Sequence, residues 1–188
     1  MIRDFALLAA RLAVGGGIAA HGSQKALGWF DGMGPAGAAK MMERLGLRPN
    51  ETYAALAAWN EIAAGLLIAA GLGGPAGPSM LLSGMIVAHV TTAEPKGFFD
   101  EGGTEVRVLY SAAALALAAH DYGALSADAL LGLRKPLGGP LMLALALAAA
   151  VTGAALVLGQ RDTTPPGPAT PTFRGKNSPL PEQEPAAT

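Results

Sequence analysis

An all-α membrane bundle is the fold class this chain predicts, and three observations carry the prediction. Hydrophobic residues make up 51% of the 188 and charged residues only 14%, where soluble domains carry roughly 25% charge. Five apolar runs, at residues 4–24, 53–72, 76–92, 105–121 and 137–159, approach the ~17–25 residues that a tilted spanning helix needs. Inside those runs stand isolated ionisable residues, Arg11, Glu61 and His89. A charge at membrane depth costs about 2.5–3.5 kcal/mol on insertion scales, so it persists where it is paired, hydrated or used.

The first run resembles a signal peptide, with Arg3 ahead of an apolar stretch that ends in small residues. Asp4 and Arg11 interrupt that pattern, so it reads as a retained first helix. A polar connection follows at 26–52. Within it, residues 36–45 have helical character, with Met41, Met42 and Leu45 on one side and Lys40, Glu43 and Arg44 on the other, before a stop at Leu47-Arg48-Pro49; this predicts an interfacial helix over the bundle mouth. Runs two and three are joined by Gly73-Gly74-Pro75-Ala76-Gly77-Pro78, a turn that forces an antiparallel hairpin. After run four, Ser126 or Asp128 can cap a short helix ending near Gly132. The segment 161–188 is rich in Pro, Thr and Glu without apolar period, which predicts a disordered tail. The expected organisation is a four-helix bundle over 1–134, an additional transmembrane helix over 135–160, and that tail.

Alternation of the spans decides which polar residues can meet. Let side A hold the N-terminus and side B be the opposite face. Arg11 then lies about 15–20 Å from the B end of run one and Glu61 about 12 Å from the B end of run two, at 1.5 Å per residue. Similar depth and opposite charge predict an Arg11–Glu61 pair. Arg11, Gly15, Ile18, Gly22 and Lys25 share one helical stripe, and His21 and Lys25 are one turn apart. Ala57, Glu61, Ala64 and Gly65 form a small-residue face that lets another helix approach. His89 and Glu105 arrive at B on runs three and four, Glu105 being the residue expected to face inward rather than Arg107. Trp29, Phe30, Tyr53, Phe98 and Phe99 gather near B, with Trp59 deeper; they fit an interfacial aromatic belt or a lipid-accessible pocket for a flat ligand.

The chain carries a net charge of −1 and no basic block, which removes the electrostatic footprint of nucleic-acid binding. It contains no cysteine. Disulfide, thiolate and cysteine-ligated iron–sulfur chemistry on this chain are thereby excluded.

The pattern Arg11-Leu12-x-x-Gly15, His21-Gly22-x-x-Lys25, Glu61 with Gly65-Leu66-Leu67 and Gly71-Leu72, then His89, Gly97-Phe98-Phe99, Glu105 and Ser126-x-Asp128 resembles the DoxX family of small bacterial integral membrane proteins, over residues of about 5–131. The resemblance implies a four-helix membrane bundle in the cytoplasmic (inner) membrane, and a link to quinone or thiol redox chemistry and oxidative-stress response. The fifth span and the tail are departures from it.

On this reading His21, Lys25, His89 and Glu105 are either a polar rim or a ligand site. As a site, histidine and lysine would hydrogen-bond a quinone carbonyl while a glutamate exchanges the accompanying proton. The candidate catalytic residues are Glu61, His89 and Glu105, and the candidate ligand-binding residues are Arg11, His21, Lys25 and Trp59. A haem on His21 and His89 is the disfavoured reading, and no local ligand motif supports a metal. The competing functions are a noncatalytic scaffold for soluble redox enzymes and a small-molecule permease. The expected partners are the bilayer, redox proteins and a second copy of the chain. Lys40, Arg44, Arg48, Lys96 and Arg161 on side B, against Arg3, Arg134 and Lys135 on side A, lean toward a cytoplasmic B.

Overall fold

The computed structural model describes residues 1–91, 98–99, 104–133 and 139–163. Within them the chain forms seven helices: α1 (Ile2–Ala26), α2 (Gly34–Arg44), α3 (Asn50–Ala70), α4 (Ala76–Thr91), α5 (Thr104–Ala119), α6 (Ala127–Leu130) and α7 (Gly139–Leu158). Among the described residues there is no strand, only an isolated antiparallel bridge between Leu47 and Arg161. α1, α3 and α7 are long and apolar enough to cross a membrane, and α4 is apolar but shorter. The tail expected to be disordered falls, from residue 164 onward, outside the described residues, as do Lys96, Gly97, Arg134 and Lys135.

α1 and α3 form the tightest helix pair, because glycines let their backbones meet. A Cβ on Gly15 would lie 2.5 Å from the Gly65 carbonyl oxygen, and one on Gly22 would lie 2.6 Å from that of Ala58. The buried residues of α1 are Arg11, Gly15, Ile18 and Gly22, the stripe read from the sequence. This small-residue contact fixes the register of the antiparallel pair. α3 ends in a Schellman cap at Gly71 (φ 66°), with Leu72 N–H donating to Leu67 O at 2.9 Å and Gly71 N–H to Ile68 O at 3.1 Å.

α4 packs on α3, α5 and α7. The first core cluster joins Ile18, Ala64, Ile68, Leu81, Leu82, Ala114, Leu117 and Ala150, drawing on α1, α3, α4, α5 and α7. α7 presents Ala146, Ala150 and Ala154 as its buried stripe, spaced four apart on one helix face. The fifth span is therefore packed into the helix bundle. A second cluster seats α2 through Ala38, Ala39 and Met42 against Leu47 and Ala54, with Met41, Leu45, Tyr53 and Val157 beside them, the apolar side that the sequence assigned to this helix.

The end of α7 also locks the B end of the molecule. Arg161 donates through Nε to Leu45 O at 2.8 Å and through Nη1 to Val90 O at 3.4 Å, and Asp162 N–H donates to Gly46 O at 2.7 Å. This ties the connection between α2 and α3 to the last turn of α4. Because Ala150 is fully buried, Ala150→Leu is expected to destabilise the protein by about 1–3 kcal/mol through overpacking. Val151→Leu, at an exposed neighbour, should leave stability within about 0.5 kcal/mol of the parent. Denaturant titration in mixed micelles reads both.

Candidate functional site

Two polar clusters form, one toward each end of the α1–α3 pair. Toward side B, Lys25 Nζ donates to Glu61 Oε1. The side chains are 19% and 13% exposed, so the pair is largely removed from solvent. The second carboxylate oxygen, Glu61 Oε2, is buried without a hydrogen-bond partner among the described residues. On the neighbouring turn Asn60 donates to Met80 O at 3.1 Å and pins α3 to α4.

His21, one turn before Lys25, packs edge-on against Tyr110 of α5 at a ring separation of 6.0 Å and an interplanar angle of 83°. The Tyr110 hydroxyl rests against α1 at Gly17, where a Cβ would lie 2.5 Å from it, and the phenol sits in the field of the Glu61 carboxylate. The outer seam between α1 and α5 opens into a groove of about 540 Å³ lined by Ala13, Val14, His21, Val106, Leu109, Tyr110 and Ala113. Its walls are apolar, and its two polar side chains are the imidazole and the phenol.

Toward side A lies Arg11, with no exposed surface. Its Nη2 donates to Leu125 O, its guanidinium carbon lies 5.7 Å from the centre of the Tyr122 ring, and Nε and Nη1 find no hydrogen-bond partner. No carboxylate forms a salt bridge with it among the described residues. The guanidinium occupies the space that a Cβ on Gly71 would take, so it sits at the C-terminus of α3, where the helix dipole favours a cation. The loop covering it is latched in turn. Asp128 accepts from the Gly73 and Gly74 N–H groups at 2.9 and 3.0 Å, Asp4 accepts from Ala124 N–H at 2.9 Å, and Ser126 caps α6 by accepting from Ala129 N–H at 3.2 Å. Burial, then the nearby Asp128 carboxylate, push the Tyr122 phenol well above its ordinary range against the opposing pull of Arg11. The phenol stays protonated and donates to Gly74 O at 2.6 Å.

The structure thus brings Lys25, Glu61 and His21 to one region and corrects the expected pairing of Glu61 with Arg11. The Gly15–Gly65 and Gly22–Ala58 contacts set a register that carries Arg11 to Gly71, ten residues or about 15 Å along α3 from Glu61. Trp59 is 58% exposed on α3 and lies outside the groove lining. His89 is exposed in the last turn of α4, and Glu105 is half-buried in the first turn of α5 with its N–H donating to Phe98 O at 3.1 Å. Neither makes a hydrogen bond to Lys25, Glu61 or His21 among the described residues. Arg107, expected to point away from the interior, is half-buried as well and donates to Thr104 Oγ1 at 3.4 Å. Among the described residues no three of His, Asp and Glu gather as a metal-holding group.

Sequence reasoning missed Tyr110, although a lone phenol inside an apolar run and the side-chain-free Gly17 were both visible. It also missed that Arg11 belongs to the cluster of Tyr122, Leu125 and Gly71. No curated protein and no solved structure matches the chain. The DoxX family model matches residues 6–94, the stretch from α1 through α4 that holds Arg11, His21, Lys25, Glu61 and His89, and over that stretch the chain is similar to the DoxX family of membrane proteins.

Proposed function

We propose that this is a multi-pass protein of the bacterial inner membrane that binds a small lipophilic ligand, of the quinone class, in the groove between α1 and α5. The observation that carries the reading is the composition of that groove. A volume of about 540 Å³ falls within the ~300–1,000 Å³ of small-molecule sites, which combine apolar walls with a few placed polar groups. A flat ring bearing carbonyl oxygens fits such walls, with the Tyr110 hydroxyl and a ring N–H of His21 as donors to those oxygens. Glu61, with one oxygen held by Lys25 and the other unpaired, stands behind Tyr110 as the group that exchanges a proton with the ligand.

Because the chain has no cysteine, any electrons would reach the ligand from a partner or a bound cofactor. Lys40, Arg44 and Arg48 stand at the B end against Arg3 at the A end, which supports a cytoplasmic B face.

The test is native mass spectrometry with lipid extraction on protein purified in mild detergent. A quinone is expected to copurify with the wild type, to fall at least tenfold in occupancy in His21→Leu and Tyr110→Phe, about the 1.4 kcal/mol of one lost hydrogen bond, and to persist in His89→Ala. Ligand-free wild type carrying a stoichiometric soluble protein would overturn the reading in favour of a scaffold. Quinone retained in both groove variants would move the site elsewhere.

A further inference from the structure

The turn that follows α1 is strained in a way its own contacts do not explain. Phe30 and Asp31 have φ of 54° and 56°, and Gly32 N–H donates to Trp29 O at 3.0 Å, the signature of a type I′ turn with Phe30 and Asp31 at its two central positions. Such turns normally place Asn-Gly or Gly-Gly there, because a bulky side chain rarely adopts a positive φ. A strained backbone persists when its surroundings over-determine it. Within the protein, those surroundings are a 3.4 Å hydrogen bond from the Gln24 amide to Phe30 O and the close approach of Gly32 to the Gln24 backbone.

What the turn achieves is presentation. Trp29 and Phe30 stack edge-on at 6.4 Å and remain 58% and 66% exposed, flanked by Leu27 and Met33 at 48% and 52%. The location says what meets them. The turn begins three residues after a 25-residue apolar helix, whose length of about 37 Å exceeds the ~30 Å hydrocarbon core of a bilayer, so the helix ends among the lipid headgroups. Trp partitions to that boundary, where the indole N–H meets polar groups and the ring meets acyl chain, and Phe30 beside it adds apolar area for insertion.

We infer that the 27–33 turn is an interfacial anchor, whose Trp29 and Phe30 insert into the headgroup–acyl boundary on side B and hold the end of α1 at fixed depth. This anchor is independent of any ligand in the α1–α5 groove.

The test uses full-length Trp59→Phe protein, in which Trp29 is the remaining tryptophan, reconstituted into phosphatidylcholine vesicles brominated either near the headgroup or deep in the acyl chain. Trp29 emission is expected to be quenched about twofold more by shallow than by deep bromines and to resist aqueous iodide, as for a ring seated at the boundary. In Phe30→Asn, which keeps a residue suited to the turn, iodide quenching should rise as the anchor loosens. Should Trp59→Phe fold poorly, the difference in quenching between wild type and Trp29→Phe supplies the same reading. Trp29 quenched by iodide and indifferent to bromine position would overturn the anchor, as would protection by a copurifying soluble protein with no effect of brominated lipid.

Discussion

Arg11→Ala is expected to destabilise the protein by about 3–4 kcal/mol, near the loss of a large buried side chain, and to free the 121–128 loop. The guanidinium is wholly enclosed, so its removal opens a cavity between α1, the end of α3 and that loop. It also leaves Leu125 O without its donor and removes the cation from the Tyr122 face and the α3 terminus. Arg11→Met should recover part of the loss by refilling the volume. Arg11→Lys should recover little, because an ammonium lacks the forked guanidinium that lies over the Tyr122 ring while donating to Leu125 O. Gly71→Ala approaches the same cluster from the other side: its Cβ would collide with the guanidinium at a backbone φ of 66°, so it should also destabilise and should be milder in an Arg11→Ala background. Hydrogen exchange checks the mechanism. Amides of Gly73, Gly74 and Ala124, held by Asp128 and Asp4, should exchange faster in Arg11→Ala, and an unchanged rate would mean that the latch stands without the arginine.

The parts of this architecture that follow from local pattern were legible in the sequence, and the parts that depend on helix register were not. The buried stripe of α1, the amphipathic side of α2 and the Gly/Pro hairpin between α3 and α4 each follow from periodicity or turn chemistry within one segment. The α1–α3 register depends on which glycine meets which, and a shift of two or three turns leaves the pattern of each helix unchanged. Estimating depth from the ends of apolar runs therefore placed Arg11 opposite Glu61, whereas the Gly15–Gly65 contact places it opposite Gly71. Similar limits hid Tyr110. Nothing local to α5 says that its phenol reaches across to Gly17 and His21; only packing supplies that. His89 and Glu105 stood out because charge in an apolar run is conspicuous, but both lie at helix ends, where solvent or headgroups can satisfy them without a partner.

Breaking the Lys25–Glu61 pair from one side is expected to cost more than removing it altogether. Lys25→Met strands a carboxylate whose second oxygen already lacks a partner, and Glu61→Leu strands an ammonium among apolar helices. Each single change should lower stability by about 3 kcal/mol, the lower end of the range for buried pairs because both side chains keep some solvent contact. Lys25→Met with Glu61→Leu replaces both charges by apolar groups and should return to within about 1 kcal/mol of the wild type, giving a coupling energy of at least about 5 kcal/mol in the double-mutant cycle. That double variant separates structure from function, since it folds while holding no carboxylate behind Tyr110. If the pair only secures α1 against α3, the double variant keeps its groove ligand along with its stability. If Glu61 exchanges protons with the ligand, the variant is stable yet loses turnover, and Glu61→Gln, which keeps shape and hydrogen bonding, loses it as well. The cycle is read by denaturant titration in mixed micelles, with ligand occupancy and redox turnover measured in parallel on the same preparations. A double variant as unstable as either single change would show that the ion pair is an obligatory part of the α1–α3 contact, with its charge beyond replacement by packing.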